Sequence, residues 1–298
     1  MPGACSFLPN LASAPHFESL RSDPPNLASI ARMERTKQPI VILGAGYTGK
    51  FLYRLARKQG ETVFATSRWP ENHLSFTRPE DRLAFDLNRK ETWESLPPQS
   101  QLIWCFPALP AKAASAFARH MTSQKCRFLV LGTTSAFPRL GGGIIDETME
   151  VDLAKPRTQS EEDLRKTHGA IVLRLAGLYG PGRNVLDWIR KGKIFSSERY
   201  VNLIHVEDVA GICLKALTHA PPGSAYIVSD GVPRRWSEIC TMAVRRWGIP
   251  RPPHSHGKDG GKQLSSCKVL RELNYQLRYP DLYEALDILE QDPRGTHS

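Results

Sequence analysis

The chain lacks any apolar run approaching the ~20 residues of a membrane-spanning helix, which argues against an integral membrane protein. It lacks paired cysteines too. Its six, at positions 5, 105, 126, 213, 240 and 267, are scattered without a C-x-x-C pair or metal-ligand spacing. Several lie in apolar stretches and read as buried small hydrophobes in a reducing compartment. The N-terminus has neither the basic start nor the apolar core of a secretory signal. No basic run is interleaved with aromatics, so the nucleic-acid pattern is missing. His254 and His256 form an H-x-H in a Pro/Gly-rich loop, with no cysteine or third ligand nearby, so no metal site is expected there. No internal repeat is visible. These absences point to a cytoplasmic protein that engages neither membrane nor nucleic acid.

What is present fits a globular protein: 298 residues, 41% hydrophobic and 23% charged, with material for one large domain or two modest ones. The formal net charge is +10, and Lys and Arg outnumber Asp and Glu across residues 230 to 280. That excess favours an anionic partner, and a phosphorylated small molecule suits it. Residues 1 to 38 hold many prolines and serines and show no sustained period, so a disordered extension is expected, or translation from Met33.

The most informative stretch is Pro39 to Gly60. Ile40 to Leu43 is all apolar, as in a strand buried on both faces of a parallel sheet. Gly44, Gly46 and Gly49 follow with the spacing G-x-G-x-x-G, embracing Tyr47 and Thr48. The motif runs into an amphipathic segment with Phe51, Leu52, Leu55 and Ala56 on one face. Gly44 permits the tight turn, Gly46 lets a pyrophosphate approach the backbone, and Gly49 lets the helix sit close to the strand. The helix start then offers free N–H groups to an anion.

From there strand and helix patterns alternate. Thr62–Thr66, Arg82–Phe85, Gln101–Phe106, Arg127–Leu131 and Ala170–Leu175 read as strands, with helices over Ala111–Met121 and Glu161–Lys166. This predicts an α/β, Rossmann-type doubly wound parallel sheet over 39–180, with ligands at the carboxyl ends of its strands. Residues 181–298 read as a smaller, mainly substrate-binding portion, with some segments returning to the core. Its pieces include helices over Val209–Leu217, Trp236–Trp247 and Lys268–Leu273. At the end of the second strand, where an NAD-preferring sheet places an acid for the ribose 2′-OH, stand Thr66, Ser67 and Arg68. No acid appears before Glu71. An arginine flanked by hydroxyls suits a 2′-phosphate, so NADP is favoured over NAD.

GAGYTG, Asp86-Leu87, the turn Gly132–Ser135, LRLAGLYGPGR (173–183) and VNLIHVEDVA (201–210) together resemble the extended short-chain dehydrogenase/reductases. That family is also called NAD-dependent epimerase/dehydratase, and the resemblance, from about Pro39 to Tyr279, is closest to its atypical, sugar-nucleotide-epimerase-like bacterial branch. It implies a nicotinamide cofactor, an anionic substrate such as a nucleotide sugar, and homodimers formed through helices of the sheet. Asp86 and Leu87 would meet the adenine. Thr133, or its neighbours Thr134 and Ser135, would supply the hydroxyl near the nicotinamide. Tyr179 to Arg183 would line the nicotinamide and substrate side. Asn202, His205 and Asp208 would close over the substrate, although Asp208 also reads as a helix cap and His205 as a core histidine. Arg183, Arg234 and Arg235 could grip a pyrophosphate.

One family feature is missing. Catalysis there resembles a Tyr-x-x-x-Lys unit on a helix, where the lysine and the cofactor lower the tyrosine pKa. This chain has no tyrosine between Tyr53 and Tyr179. Over Lys155–Glu162 the tyrosine position falls on Lys155, Arg157 or Thr158, and the lysine position on Gln159, Glu161 or Glu162. Asp146 and Glu147 are the remaining candidate proton carriers. Two functions therefore stay open: an NAD(P)-dependent oxidoreductase or epimerase of atypical mechanism, or a non-catalytic NADP-binding sensor.

Overall fold

A computed structural model describes residues 38–138, 141–255 and 260–291, so the expectation for residues 1–37 and the imidazole of His256 lie outside the described residues. Seven parallel strands make the central sheet: β1 (Ile40–Leu43), β2 (Val63–Ser67), β3 (Arg82–Ala84), β4 (Gln101–Trp104), β5 (Arg127–Thr133), β6 (Ile171–Leu175) and β7 (Ala225–Val228). Their order is β7-β6-β5-β4-β1-β2-β3, the doubly wound arrangement in which the chain reverses direction between β1 and β4. All four residues of β1 are buried, because helices cover both faces.

Among the described residues four longer helices flank the sheet, α1 (Tyr47–Lys58), α2 (Ala111–Ser123), α3 (Pro156–His168) and α4 (Val206–His219), and two more, α5 (Trp236–Trp247) and α6 (Leu282–Gln291), lie in the C-terminal portion. Two apolar cores form, one on each face. Ile42, Leu52, Leu173 and Ile212 lie in the first, under α1 and α4. Val41, Trp104, Phe117 and Val172 lie in the second, under α2 and α3. A third core, with Leu186, Leu203, Ile239 and Leu286, belongs to the C-terminal portion.

Three short two-stranded ribbons form apart from the central sheet, two of them joining that portion to segments before residue 180. Leu203–His205 pairs with Gly177–Tyr179, Arg234–Arg235 with Tyr200–Val201, and Gln263–Leu264 with Ile144–Ile145. Segments from beyond residue 180 do return to the main core: β7 extends the sheet beside β6, and α4 packs on α1.

Several element boundaries differ from the sequence expectation, each for a local reason. Helix α3 begins at Pro156 rather than Glu161, because proline at the first helical position forfeits no hydrogen bond. Helix α4 begins at Val206 rather than Val209. His205 caps it, its imidazole Nδ1 accepting from the Glu207 N–H at 3.3 Å. The capping role considered for Asp208 is therefore taken by His205. Asp208 sits inside the first turn, fully buried, and its carboxylate accepts from the N–H groups of Arg278 and Tyr279 and from the Tyr275 hydroxyl.

Candidate functional site

The carboxyl ends of β1, β2, β4 and β5 frame the cleft that the fold makes available to a ligand. At its centre each glycine of the 44–49 loop meets a different demand. Gly44 has φ +71°, and a Cβ there would lie 2.6 Å from the Phe106 ring. Its N–H donates to the Thr66 hydroxyl at 3.0 Å, and the Ala45 N–H to the Thr66 carbonyl at 2.9 Å, so β2 pins the loop. A Cβ at Gly49 would press on Ile42 at 3.1 Å, which is the close helix–strand contact.

Gly46 is different. A Cβ built there meets nothing within 4 Å, and its φ of −78° is one that other residues adopt. The protein's own packing does not require glycine at this position; the open space beside the backbone does. Immediately after it, α1 starts with no side-chain cap and no acidic residue in its first turn. Its leading N–H groups and positive dipole end face that space uncompensated.

Along one wing of the cleft lie the residues expected at the adenosine end. Arg68 is exposed and forms no ion pair with another of the described residues. Glu71, the nearest acid, is held by Arg82 at 2.7 Å and so is not free for a ribose hydroxyl. Ser67 fixes the turn, its hydroxyl bonding His73 Nδ1 and the Trp69 N–H. Asp86 closes its own small turn by accepting from the Asn88 N–H at 2.9 Å, and Leu87 beside it is buried. Two aromatics that the sequence did not single out stand here: Trp69, 61% exposed, and Phe106, which lies against Gly44.

The other wing is the turn after β5. Thr133 Oγ1 accepts from the Ser135 N–H at 3.2 Å. Two ammonium groups bind the carbonyls of this turn: Lys155 reaches Ser135 O at 2.8 Å, and Lys262 reaches Thr134 O and Phe137 O at 2.8 and 2.9 Å. On α3, Thr158 is buried and unavailable. Arg157 and Glu161 form an i,i+4 ion pair at 2.7 Å, and Arg157 also donates to Leu131 O on β5 at 3.0 Å. Glu161 and Glu162 in turn hold the buried Arg174 guanidinium of β6 at 3.3 and 2.5 Å. Burial of Glu161 pushes its carboxyl above the usual range, while Arg165 and Arg174 hold that of Glu162 below it, against the opposing effect of burial.

The expected substrate-side residues separate into two groups. Arg183 stands over the Tyr47 ring, 4.2 Å from its centre, at the mouth of the glycine loop. The Tyr47 hydroxyl is buried without a hydrogen-bond partner, and burial raises its pKa to about 12. The others are engaged in structure. Asn202 bonds Lys262 O and the Leu264 N–H, Arg235 pairs with Glu198, and Arg234 pairs with buried Asp230. Tyr179, expected to line the substrate side, is fully buried in the third core. His205 is buried against the Tyr279 ring, centroids 3.7 Å apart, as a core histidine would be. Asp146 binds the Thr148 N–H and hydroxyl, and Glu147 accepts from the Ile227 N–H on the edge strand β7.

Burial holds the His205 pKa down at about 4, against 6.5 for the free side chain. The unfolded chain therefore binds a proton that the folded one refuses between these values. Stability should fall as pH drops from 6.5 to 4, by up to ~3 kcal/mol from this residue. His205→Asn should flatten that part of a urea-denaturation pH profile, and an unchanged slope would refute the assignment.

Among the described residues no cluster of three His, Cys, Asp or Glu is placed to hold a metal ion, and no helix is long and apolar enough to cross a membrane. A groove of about 630 Å³ runs between α1 and α4 past Phe51, Leu55 and Leu214 toward Ile40 at the amino edge of the sheet. It lies opposite the cleft.

The fold has close counterparts. A candidate NAD-dependent epimerase/dehydratase from Methylobacillus flagellatus superposes with a TM-score of 0.69 at 25% identity, covering 86% of this chain and 99% of that one. The chain shares the α/β, Rossmann-type fold of that protein. WbmG from Bordetella bronchiseptica, solved with NAD and UDP, shares it at 17% identity with a TM-score of 0.69, over 84% of this chain and 92% of that one. Protein YeeZ of Escherichia coli K12 is 34% identical over 114 residues. That match takes in 37% of this chain and 41% of YeeZ, so the chain spans less than half the length of the curated relative it matches. No protein-family profile matches the chain.

Proposed function

We propose that this chain binds NADP(H) along the carboxyl edge of its sheet and acts on an anionic small molecule, of the nucleotide-sugar type, as an oxidoreductase or epimerase of atypical mechanism. The observation that carries the reading is the open space at Gly46 facing the uncapped start of α1, with Arg68, unpaired among the described residues, at the end of β2. Backbone N–H groups of α1 would hold the pyrophosphate, and Arg68 would hold the 2′-phosphate through a charge-assisted contact. Bound cofactor supplies hydride exchange at its nicotinamide. Phe106 closes the floor beneath Gly44, and Thr133 stands at the end of β5 where a polarising hydroxyl is needed. The UDP held by WbmG supports a nucleotide-linked substrate in this reading.

Titration of the purified protein should give at least ~10-fold tighter binding of NADPH than of NADH, the worth of one charge-assisted contact. Arg68→Ala should erase that preference while leaving NADH affinity in place. Equal affinities in the unaltered protein would remove NADP from the proposal.

A second reading rests on one observation: α3 contains no tyrosine, and its residues 157 and 161, four apart, are the ion pair Arg157–Glu161. In that reading the chain is a non-catalytic NADP-binding sensor. Incubation with a panel of nucleotide sugars, read by nicotinamide absorbance for net oxidation or reduction and by NMR of the sugar for redox-neutral epimerisation, separates the two, since only an enzyme turns one over.

A further inference from the structure

We propose that Arg157 is the substrate-recognising group of this cleft, a fixed guanidinium at one of the three positions on which the Tyr-x-x-x-Lys tyrosine would fall, and that it takes a carboxylate of the substrate. This rests on the cofactor reading above for its place in a reaction, but the carboxylate site itself follows from the side chains around β5.

The guanidinium is held from two sides. Its Nε donates to Glu161, and Nη2 donates to Leu131 O. That carbonyl lies just past the last β4–β5 pair, Trp104↔Val130, toward the carboxyl end of β5. Glu161 is itself immobile. It is fully buried, bonded to Arg174, and packed so closely on the backbone that a Cβ at Gly132 would come within 2.7 Å of its Oε2. Gly132 thus makes room for the carboxylate that aims Arg157, one residue before Thr133.

With Nε and Nη2 occupied, Nη1 makes no hydrogen bond to any of the described residues, and the side chain keeps 32% of its surface exposed. A planar guanidinium offers five donors in a rigid fork, so those left over present a ready-made face to a carboxylate. The surroundings favour an anion as well. Lys155 and Lys262 both sit on the carbonyls of the Thr134–Phe137 turn, and Lys155, Arg157, Arg165, Arg174 and Lys262 outnumber Asp152, Glu161 and Glu162. An arginine stays protonated at any working pH. It binds and orients; it does not shuttle a proton as a tyrosine would.

Calorimetric titration tests this with two probes of similar shape, malonate and its neutral diamide malonamide, added to the full chain saturated with NADP⁺. Malonate should bind at least ~10-fold more tightly than malonamide, as one desolvated charge pair implies. Arg157→Met should remove that margin without changing NADP⁺ affinity, while lowering the urea-denaturation midpoint as buried Glu161 loses one of its two partners, and Arg157→Lys should recover part of the malonate margin. Arg235→Met, which alters an exposed arginine paired elsewhere, should leave malonate binding unchanged. Absence of malonate binding in the unaltered protein, equal binding of the diamide, or full malonate affinity in Arg157→Met would each overturn the assignment. If NADP⁺ itself fails to bind, the cofactor reading falls. The same titrations on cofactor-free protein then decide Arg157 separately, by whether malonate binding depends on it.

Discussion

Gly46→Asp is expected to abolish NADPH binding, weakening it at least ~100-fold, with the thermal midpoint essentially unchanged. The new side chain enters space that contains no protein atom within 4 Å, so folding loses no contact. A ligand there would meet both its bulk and its charge. A carboxylate within ~4 Å of a pyrophosphate costs on the order of 4 kcal/mol at the dielectric of a protein surface, and it would compete for the N–H groups at the start of α1. Gly49→Asp makes the contrast. It should lower stability, because Ile42 and Ala45 already stand 3.1 and 3.0 Å from a Cβ there. Calorimetry for binding and a urea melt for stability separate the two outcomes. Retained NADPH affinity in Gly46→Asp would mean that the open space is not a pyrophosphate site.

Arg174→Met should destabilise the fold by ~3–5 kcal/mol at pH 7, the cost of stranding the partners of a buried ion pair. Glu161 and Glu162 both face this guanidinium, and neither is open to water. Arg157 and Arg165 still reach them, which sets the effect toward the lower end of that range. The sign with pH follows from the same geometry. Without Arg174 the Glu161 carboxyl, already raised by burial, titrates higher still in the folded variant than in the unfolded chain, so its share of stability is retained at low pH and lost as pH rises through the folded pKa. The gap between variant and parent in urea denaturation should therefore narrow on going from pH 7 to pH 5. A loss under ~1 kcal/mol at pH 7 would show that water reaches the cluster.

Much of this architecture is legible in the residues. The β1 run and the G-x-G-x-x-G spacing place the central turn, because buried parallel strands and glycine-dependent turns both leave short local signatures. Helix α5 is read correctly to its ends, closing at Gly248 with φ +63°. The starts of α3 and α4 were misplaced for lack of a conventional cap: one opens on Pro156, the other on an imidazole. Helix α6, following Pro280, was missed although its leucines are buried.

The site was less visible. Lys262 bonds Thr134 O across 128 residues of sequence, and no spacing rule joins them. Arg157 appears in the sequence only as the wrong residue for a tyrosine position. Its meaning comes from Glu161, Leu131 O and the absent side chain at Gly132, which the fold alone brings together. Conversely, Asn202, Arg235 and Tyr179 looked like substrate contacts because their motif is familiar, yet each is engaged in structure.

The most direct measurement is a titration of NADPH into ligand-free protein, followed by nicotinamide fluorescence. An NADP site at Gly46 and Arg68 predicts saturable binding that 2′,5′-ADP displaces. A flat response, or binding that 2′,5′-ADP leaves untouched, would contradict it.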